Sequence, residues 1–480
     1  MGSEFTAITE YPLMEGAVLY STSLGGLLIG CPPEVLKTLL TKHYPMPNTV
    51  VIPGTMTRFS SSQACLEFPF YHFLFIQQGL AQGKKFRVLG KKKVLEDLKE
   101  MLRVTLLGPA YEEAMGSETQ LGLKPNLSSK KVQAICDEAA HLALKGKDGS
   151  ILQVEQLVEF IPLEVGEKQS VYPSVGEQPE VLIERLGEDS FRCYAGKETY
   201  TTILGAANPQ VPIYPMSANP VTAQEKNSAQ AFSIRLLGTS EGFDPTKPAN
   251  GSLIRVDGKW YLWDCPAYLR QHLKAIGLDF SDIEGIFVSH VHEDHLDIIE
   301  TIEKGKKVKI FSSPEIFHCM LLKLKANLGC SYKEAQAHYD FHPFYAGKPL
   351  KLGKAQFEVF YSVHAIPALG LKLHVEGPNG ETKGLYISGD QLSKANVAKL
   401  VASKVINKPR AQEIEAFLTP DDLYDAILVD SGGGLIHGDP ADYAAQPSPV
   451  YYLHTGKKLK EIPKHHHNCL PGDHIVILEA

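Results

Sequence analysis

Short apolar runs, each followed by a polar segment, recur along the second half of the chain. They predict buried strands at Gly285–Ser289 (GIFVS), Phe357–Val363 and Val450–Leu453, and a last apolar strand within Gly472–Ala480. Leu296–Ile299 predicts the start of a helix soon after the first of these strands. A loop that leaves a buried strand can bring several side chains to one point. The sequence therefore predicts an α/β fold with polar clusters at strand ends.

An internal repeat relates the two halves of the chain. The matched pairs are Leu27–Leu36 (LLIGCPPEVL) with Tyr261–Leu269 (YLWDCPAYL), Gly83–Gly90 (GKKFRVLG) with Gly305–Ser312 (GKKVKIFS), and Leu107–Ala114 (LGPAYEEA) with Leu328–Ala335 (LGCSYKEA). Three matches in one order indicate divergent copies of a single domain. We predict domains at residues 1–220 and 231–480, with the boundary inside the polar segment Pro215–Ala231.

Composition and charge exclude several classes of protein. The 480 residues are 44% hydrophobic and 21% charged, as in ordinary globular proteins, and a net charge of −7 provides no global basic field for nucleic acid. The longest apolar stretches, such as Phe68–Ile76, are too short to span a membrane, and Met1–Phe5 (MGSEF) resembles a cloning remnant rather than a signal peptide. Eight scattered cysteines form no C-x-x-C pair. We therefore expect a cytoplasmic protein with reduced thiols and no membrane partner.

A dense group of metal-ligating residue types directly follows the strand at Gly285–Ser289. The group has four members within six positions: His290, His292, Asp294 and His295. Imidazole and carboxylate together suit zinc, manganese or iron, and such a cluster is costly to bury unless a cation neutralises it. The first copy carries Pro53–Phe59 (PGTMTRF) in the same region, without a metal-ligating residue. We therefore predict that only the second copy performs metal chemistry.

This H-x-H-x-D-H signature resembles that of the metallo-β-lactamase superfamily. His364, Asp390 and His454, each after a strand-like run, match the family's later landmarks in order. The resemblance implies a duplicated four-layer αββα sandwich with an inactive N-terminal copy and an active C-terminal copy. It also implies two divalent cations, with zinc preferred and manganese or iron as alternatives. The implied ligands are His290, His292 and His364 for one cation, Asp294, His295 and His454 for the other, and Asp390 as the bridge.

Three further features point to phosphodiesters as the substrate class. Asp390 rather than cysteine stands at the bridging position, and Leu237–Thr239 with the later Asp264-Cys265 resembles the tRNase Z and cyclic-nucleotide phosphodiesterase branch. In that branch a histidine between the last two ligand motifs binds phosphate or protonates the leaving oxygen. His437, after a glycine run, matches it. We predict a phosphodiesterase that converts 3′,5′-cyclic nucleotides to 5′-monophosphates through a metal-bound hydroxide. Asp294 would orient the hydroxide and His437 would act as acid.

Several alternatives remain open at this point. A tRNase Z-like RNA nuclease shares the resemblance, but only 26 residues separate His364 from Asp390, too few for the long tRNA-binding arm of short tRNase Z enzymes. An ester or lactone hydrolase of the same fold is a further alternative. We expect a small-molecule phosphodiester as partner in preference to RNA. The chain would act as a monomer with an internal pseudo-dimer or as a homodimer, and its first half would serve as scaffold rather than ligand sensor.

Overall fold

The computed structural model describes residues 8–58, 60–176, 178–205, 214, 219–228, 231–418, 424–456 and 458–479. The chain forms two compact units. The first comprises Met1–Arg103, Leu152–Ile213 and Leu322–Ala335, and the second comprises Val104–Ile151, Tyr214–Leu321 and Gln336–Ala480. The predicted division into 1–220 and 231–480 stays a prediction. Residues 215–218 and 229–230 of the predicted boundary lie outside the described residues.

The chain contains both strands and helices, with helices between several of the parallel strands, as in an α/β protein. Within the described residues the strands are β1 (Thr9–Met14), β2 (Ala17–Thr22), β3 (Gly25–Ile29), β4 (Pro47–Val51), β5 (Thr57–Arg58), β6 (Ser61–Ser62), β7 (Phe86–Gly90), β8 (Val158–Pro162), β9 (Lys168–Tyr172), β10 (Val181–Arg185), β11 (Ser190–Ala195), β12 (Glu198–Ile203), β13 (Phe232–Gly238), β14 (Gly251–Val256), β15 (Lys259–Trp263), β16 (Ile283–Phe287), β17 (Val308–Ser312), β18 (Tyr339–Pro343), β19 (Leu350–Leu352), β20 (Ala355–Ser362), β21 (Ala368–Glu376), β22 (Thr382–Ile387), β23 (Ala426–Asp430), β24 (Val450–Leu453), β25 (His466–Asn468) and β26 (His474–Leu478).

The α-helices of the same residues are α1 (Val35–Thr41), α2 (Glu67–Tyr71), α3 (Lys92–Leu107), α4 (Tyr111–Gln120), α5 (Ser129–Leu142), α6 (Val154–Leu157), α7 (Ala223–Asn227), α8 (Leu269–Ala275), α9 (Pro314–Leu328), α10 (Tyr332–Ala337), α11 (Lys394–Ala402) and α12 (Lys408–Leu418). A π-helical turn follows α2, and 3₁₀ turns occur at Phe280–Asp282 and Pro440–Tyr443. No described helix combines the length and the apolar character needed to cross a bilayer.

Two seven-stranded mixed sheets form the centre of the second unit. Their strand orders are β18-β17-β16-β15-β14-β13-β26 and β19-β20-β21-β22-β23-β24-β25. The inner faces pack through aromatic side chains, with the rings of Phe287 on β16 and Phe357 on β20 stacked 4.9 Å apart. Both side chains are fully buried, so the core of this unit lies between the sheets.

Helices cover the outer faces of both sheets. Phe317 of α9 meets Tyr339 of β18 at 5.7 Å between ring centroids, on the outside of the first sheet. Phe417 of α12 lies 4.5 Å from Phe360 of β20 on the outside of the second sheet. Since Phe357 and Phe360 stand three residues apart in one strand, they point to opposite faces. The helix–sheet–sheet–helix order confirms the predicted αββα sandwich.

The first unit repeats this topology in a reduced form. Its larger sheet has the order β1-β2-β3-β4-β7-β8, with two antiparallel pairs followed by three parallel pairs. β13, β14, β15, β16, β17 and β18 follow the same sequence of pairings. The second sheet has only four strands, β12-β11-β10-β9, and packs on the first through residues such as Ile183 and Phe191. The predicted duplication is confirmed.

The segment Leu296–Ile299 does not form the predicted helix. Leu296 makes an isolated parallel bridge with Cys265, and residues 298–301 are turns. The Asp297 carboxylate accepts hydrogen bonds from the N–H groups of Ile299 and Glu300, at 3.0 and 3.4 Å. A short acidic side chain that satisfies the following amides competes with helix formation. The apolar residues of this segment are buried in the loop instead.

The helix α5 is held in the second unit by a buried ion pair. Glu138 on α5 accepts from the Nε and Nη2 atoms of Arg410 on α12, at 2.8 and 3.0 Å. Arg410 also donates to the carbonyl of Tyr361 on β20, at 3.1 Å. Since β20 leads directly to His364, this pair connects a segment from the first half of the sequence to a strand that carries a candidate ligand.

Removing the carboxylate of this pair is expected to destabilise the protein strongly. Glu138→Ala leaves the Arg410 charge buried without its partner, which costs about 3–5 kcal/mol. Glu413→Ala is the matched control, because Glu413 also contacts Arg410 (3.3 Å) but its side chain is 34% exposed. Exposed pairs contribute at most about 1 kcal/mol. Urea unfolding of both variants tests the difference, and equal losses would contradict the prediction.

Candidate metal centre

Strand ends at one edge of the two sheets carry the candidate ligands. β16 runs into the loop with His290, β20 into His364, β22 into Asp390 and β24 into His454. β16 is parallel to its neighbours β15 and β17, and β22, β23 and β24 are parallel to one another. The carboxyl ends of parallel strands meet at one edge of a sheet. The fold therefore brings residues that are far apart in sequence to one place.

Four of the seven predicted ligands form a first cluster. His292 Nδ1 lies 3.1 Å from His290 Nε2 and 3.1 Å from His364 Nε2. Asp390 Oδ2 completes the group, at 3.8 Å from His290 Nε2 and 3.7 Å from His364 Nε2. All four side chains are buried, and their facing atoms lie within 4.8 Å of one another.

The other three predicted ligands form a second cluster beside the first. His454 Nε2 lies 3.0 Å from Asp294 Oδ2, and the facing atoms of Asp294, His295 and His454 lie within 4.8 Å of one another. Asp390 reaches this cluster as well, with Oδ1 3.0 Å from His295 Nε2 and Oδ2 3.6 Å from His454 Nε2. The structure thus brings all seven residues together, with Asp390 between the two groups.

Outer hydrogen bonds orient the ligand rings. Asp264, which follows β15, lies 2.8 Å from His295 Nδ1 and accepts from the N–H and the hydroxyl of Ser289, both at 2.8 Å. Its backbone is left-handed, with φ 63°. Ser289 Oγ in turn lies 2.9 Å from His290 Nδ1. These contacts turn the Nε2 atoms of both rings towards the clusters, as outer partners do around protein-bound metals.

His437 stands at the edge of the site and is paired with a buried carboxylate. Its Nδ1 lies 2.9 Å from Asp430 Oδ2 and 3.7 Å from Asp390 Oδ2. Its side chain is 20% exposed, whereas the seven candidate ligands are all buried. Asp430 also accepts from the N–H groups of Gln391 and Gly432, at 3.0 and 2.9 Å. No role was predicted for Asp430, which the sequence distinguishes only by its place at the end of the apolar strand β23.

The donor set fits divalent cations. The nitrogens of His290, His292 and His364 face one another at 3.1 Å, which places lone pairs against each other unless a proton or a cation lies between them. Imidazole nitrogens with one shared carboxylate are ligands of first-row transition metals, and outer partners hold the second ring nitrogens of His290, His295 and His364. The two clusters can therefore hold two ions with Asp390 in contact with both. The assignment of individual ligands is part of our proposal below.

Electrostatics within the site also favour cation binding. Burial lowers the pKa of His290 and His292 well below their usual values, so both rings stay neutral. For His454, burial is outweighed by Asp390 and the hydrogen bond to Asp294, which raise the pKa to about 10. For His295, Asp390 and Asp294 outweigh burial in the same way and raise its pKa well above the usual value. Two protonated rings therefore neutralise the buried carboxylates when no metal does so.

Metal uptake is expected to release protons and to strengthen as pH rises. At pH 7 the raised pKa values keep His295 and His454 protonated, and each ring must lose its proton before it binds a cation. Zinc titration by calorimetry in buffers of different ionisation enthalpy would show this release directly. A heat of binding that does not depend on the buffer would contradict the prediction.

In the first unit, the positions equivalent to His295 and Asp264 carry other residues. Equivalent backbone bonds join Cys31 to Gln63 and Cys265 to His295, so Gln63 stands where His295 does. Gly30, at φ 72°, occupies the place of Asp264. The loop that follows β4 contains the hairpin of β5 and β6, and it is therefore longer than the corresponding loop of the second unit. Pro53–Phe59 can for this reason be aligned with the second copy only in its first part. Phe59 lies outside the described residues.

Comparison with known proteins agrees with a hydrolase of this fold. Residues 232–408 match the model of the family "Anti-Pycsar protein Apyc1". The chain is 24% identical over 270 residues to "cGMP-dependent 3′,5′-cGMP phosphodiesterase A" of Dictyostelium discoideum, which covers 55% of this chain and 30% of the relative. It is 27% identical over 244 residues to "cAMP/cGMP-dependent 3′,5′-cAMP/cGMP phosphodiesterase B" of the same organism, covering 50% and 21%.

These similarities support the metallo-β-lactamase superfamily and, within it, the phosphodiesterase and tRNase Z-like branch. A "Ribonuclease Z" of Crocosphaera subtropica is 29% identical over 153 residues, covering 29% of this chain and 47% of the relative. The chain spans less than a third of the length of the two Dictyostelium relatives. Their named activities belong to those proteins, and the activity of this chain is proposed below.

Proposed function

We propose that this metallo-β-lactamase-fold protein hydrolyses 3′,5′-cyclic nucleotides to 5′-monophosphates with two divalent cations, held by the seven predicted ligands. The main support is one arrangement: two adjoining clusters share Asp390, and His437 stands at their exposed edge. A site that binds two adjacent cations suits in-line displacement at phosphorus. The relatives named as cyclic-nucleotide phosphodiesterases support the same substrate class.

Two cations bound here would lower the pKa of a water and balance the charge that develops at phosphorus. Side chains of the protein orient the water and protonate the leaving oxygen. Asp294 accepts a hydrogen bond from the attacking water, which loses a proton to solvent, and keeps it directed at phosphorus. The P–O3′ bond breaks as the P–O bond to the water oxygen forms. His437, held through Nδ1 by Asp430, gives its proton to the leaving 3′ oxygen.

The pKa of His437 suits an acid in this position. Burial lowers this pKa, but the carboxylate of Asp430 raises it further, so the net shift is upward. This upward shift favours the protonated ring, as a proton donor requires. Since a proton donor must be within reach of substrate, the partial exposure of His437 fits the role better than the full burial of His454.

The interval between His364 and Asp390 favours a small substrate over tRNA. All of it is described, and it consists of the hairpin of β21 and β22 within the central sheet. No tRNA-binding arm leaves the fold in this described interval. RNA cleavage remains the second candidate, because relatives named Ribonuclease Z match the chain.

We propose zinc as the resident metal and the cytoplasm as the location. Histidine-rich sets with carboxylates suit zinc, while manganese and iron are alternatives to be compared in the same assay. All eight cysteines are described, and none of them forms a disulfide. Such thiols agree with a reducing compartment. We further propose a monomer with an internal pseudo-dimer, with a homodimer as the alternative that sedimentation would reveal.

A panel of 3′,5′-cyclic mononucleotides tests the proposal. Zinc- and manganese-loaded protein is expected to give 5′-monophosphates, and His292→Ala is expected to give none, since His292 Nδ1 lies within the first cluster. Asp340→Asn, a change to an exposed side chain on β18, serves as the folded control. No turnover by protein that holds two metals would overturn the proposal. Structured RNA, esters and lactones would then be tested in turn.

A further inference from the structure

Every metal-facing histidine of the first cluster has an outer partner on its second ring nitrogen. Ser289 Oγ is the partner of His290 Nδ1, and the carbonyl of Ile436 lies 3.3 Å from His364 Nδ1. Both partners come from the second half of the sequence. His292 differs, because its Nε2 lies 3.1 Å from the carbonyl oxygen of Thr105, 187 residues earlier in the chain.

The contact with Thr105 determines which nitrogen of His292 can bind a cation. A backbone carbonyl only accepts hydrogen bonds, so the nitrogen that faces it carries the proton. Nε2 of His292 is therefore the N–H, and Nδ1 keeps a lone pair. That lone pair points at the atoms of His290 and His364. Without the carbonyl, the ring would lose the group that fixes both its tautomer and its orientation.

The sequence around Thr105 is suited to this contact. Thr105 lies in the last turn of α3, where carbonyl groups carry the partial negative charge of the helix terminus. Pro109, four residues further on, has no N–H with which to donate the usual helical bond to this carbonyl. Gly108 turns the chain between them at φ 67°. A Cβ on Gly108 would lie 2.9 Å from Pro367 Cδ, so the backbone passes close to the loop that carries His364.

The remainder of this segment is fixed within the same compact unit. Val104–Ile151 belongs to the unit that contains the metal centre, although it comes from the half of the sequence without ligands. The buried pair of Glu138 with Arg410 holds α5 there, and Tyr345 donates to Glu118 of α4 at 2.7 Å. Thr105 is itself 4% exposed. The carbonyl thus stands in a well-packed environment.

We infer that the first half of the chain completes the metal centre, because the Thr105 carbonyl holds the Nε2 proton of His292 and so presents Nδ1 to the metal. This inference rests on the proposed metal centre and assigns to the degenerate half a positioning role inside it. Thr105 acts through its backbone. Its side chain can therefore change without loss of the contact.

An amide-to-ester replacement tests the carbonyl directly. Leu106 is replaced by its α-hydroxy acid in the full chain, which turns the Thr105 carbonyl into an ester carbonyl, a weaker acceptor. Zinc affinity, measured by competition with a chromophoric chelator, is expected to fall about 10–100-fold. The same replacement of Leu102 is the control, since it alters α3 one turn earlier. Nitrogen-15 spectra of the zinc-loaded protein should show His292 protonated at Nε2.

A second pair of variants covers the case in which the ester protein does not fold. Gly108→Ala introduces a Cβ against Pro367, whereas Gly122→Ala, also at positive φ, meets no atom within 4 Å. Both substitutions carry the backbone cost of a left-handed alanine, about 1–2 kcal/mol. Only Gly108→Ala should weaken zinc binding. Equal zinc affinity in each test variant and its control, or His292 protonated at Nδ1, would overturn the inference. Zinc binding is measured without substrate, so failure of the proposed hydrolysis would be recognised separately.

Discussion

Asp390→Asn is expected to abolish binding of the cation pair and to reduce hydrolysis at least about 10³-fold. Asp390 contacts both clusters, with Oδ1 3.0 Å from His295 Nε2 and Oδ2 3.6–3.8 Å from His290, His364 and His454. Asparagine keeps the shape but removes the negative charge that both cations would share. A loss of about 4 kcal/mol in the stabilisation of the transition state corresponds to this fall in rate.

The experiment combines metal content with turnover. Zinc per chain is measured after dialysis, and hydrolysis is measured with zinc in excess. Asp340→Asn is the matched control, because Asp340 lies on β18 with a side chain that is 53% exposed. It is expected to behave like the original protein. If Asp390→Asn kept two tightly bound zinc ions and full activity, Asp390 would not bridge the centre.

The clustering of the candidate ligands was predictable because each group of them follows an apolar run. The four residues from His290 to His295 also stand close together in the sequence, which makes the group conspicuous. The sheet then brings His364, Asp390 and His454 to the same edge, because β20, β22 and β24 run in the same direction. The duplication was predictable from the repeat, and equivalent strands do pair in the same sequence in both units. The fold itself was predictable from the resemblance of the H-x-H-x-D-H signature.

Other parts of the site depend on contacts that leave no local pattern. Thr105 contributes a backbone carbonyl, so its side chain carries no signal, and its partner is 187 residues away. The prediction of a helix at Leu296 was wrong, because a bridge to Cys265 and the carboxylate of Asp297 compete with helical hydrogen bonds. Hydrophobic periodicity does not report such competition.

Asp430 belongs to the same group of contacts, and its removal tests the role of His437. Asp430→Asn is expected to lower kcat about 10²–10⁴-fold while zinc content stays at two per chain. The carboxylate accepts from His437 Nδ1, Gln391 N and Gly432 N, at 2.9, 3.0 and 2.9 Å. The asparagine side chain would place its own N–H group against at least one of these three N–H groups, where no hydrogen bond can form. His437 would then lose the tautomer that leaves its other nitrogen to carry the transferred proton.

The choice of substrate separates proton donation from a general loss of structure. A 4-nitrophenyl phosphodiester has a leaving group that departs without protonation, so Asp430→Asn should slow its hydrolysis much less than that of a cyclic nucleotide. His437→Ala should show the same selectivity, and the double variant should be no slower than either single one. Asp439→Asn is the control, because Asp439 is exposed and caps the turn at Ala441, a contact that asparagine preserves. Loss of zinc from Asp430→Asn would instead show that Asp430 holds the metal ligands in place. A residue that only supports the acid His437 would change protonation of the leaving group and leave zinc binding unchanged.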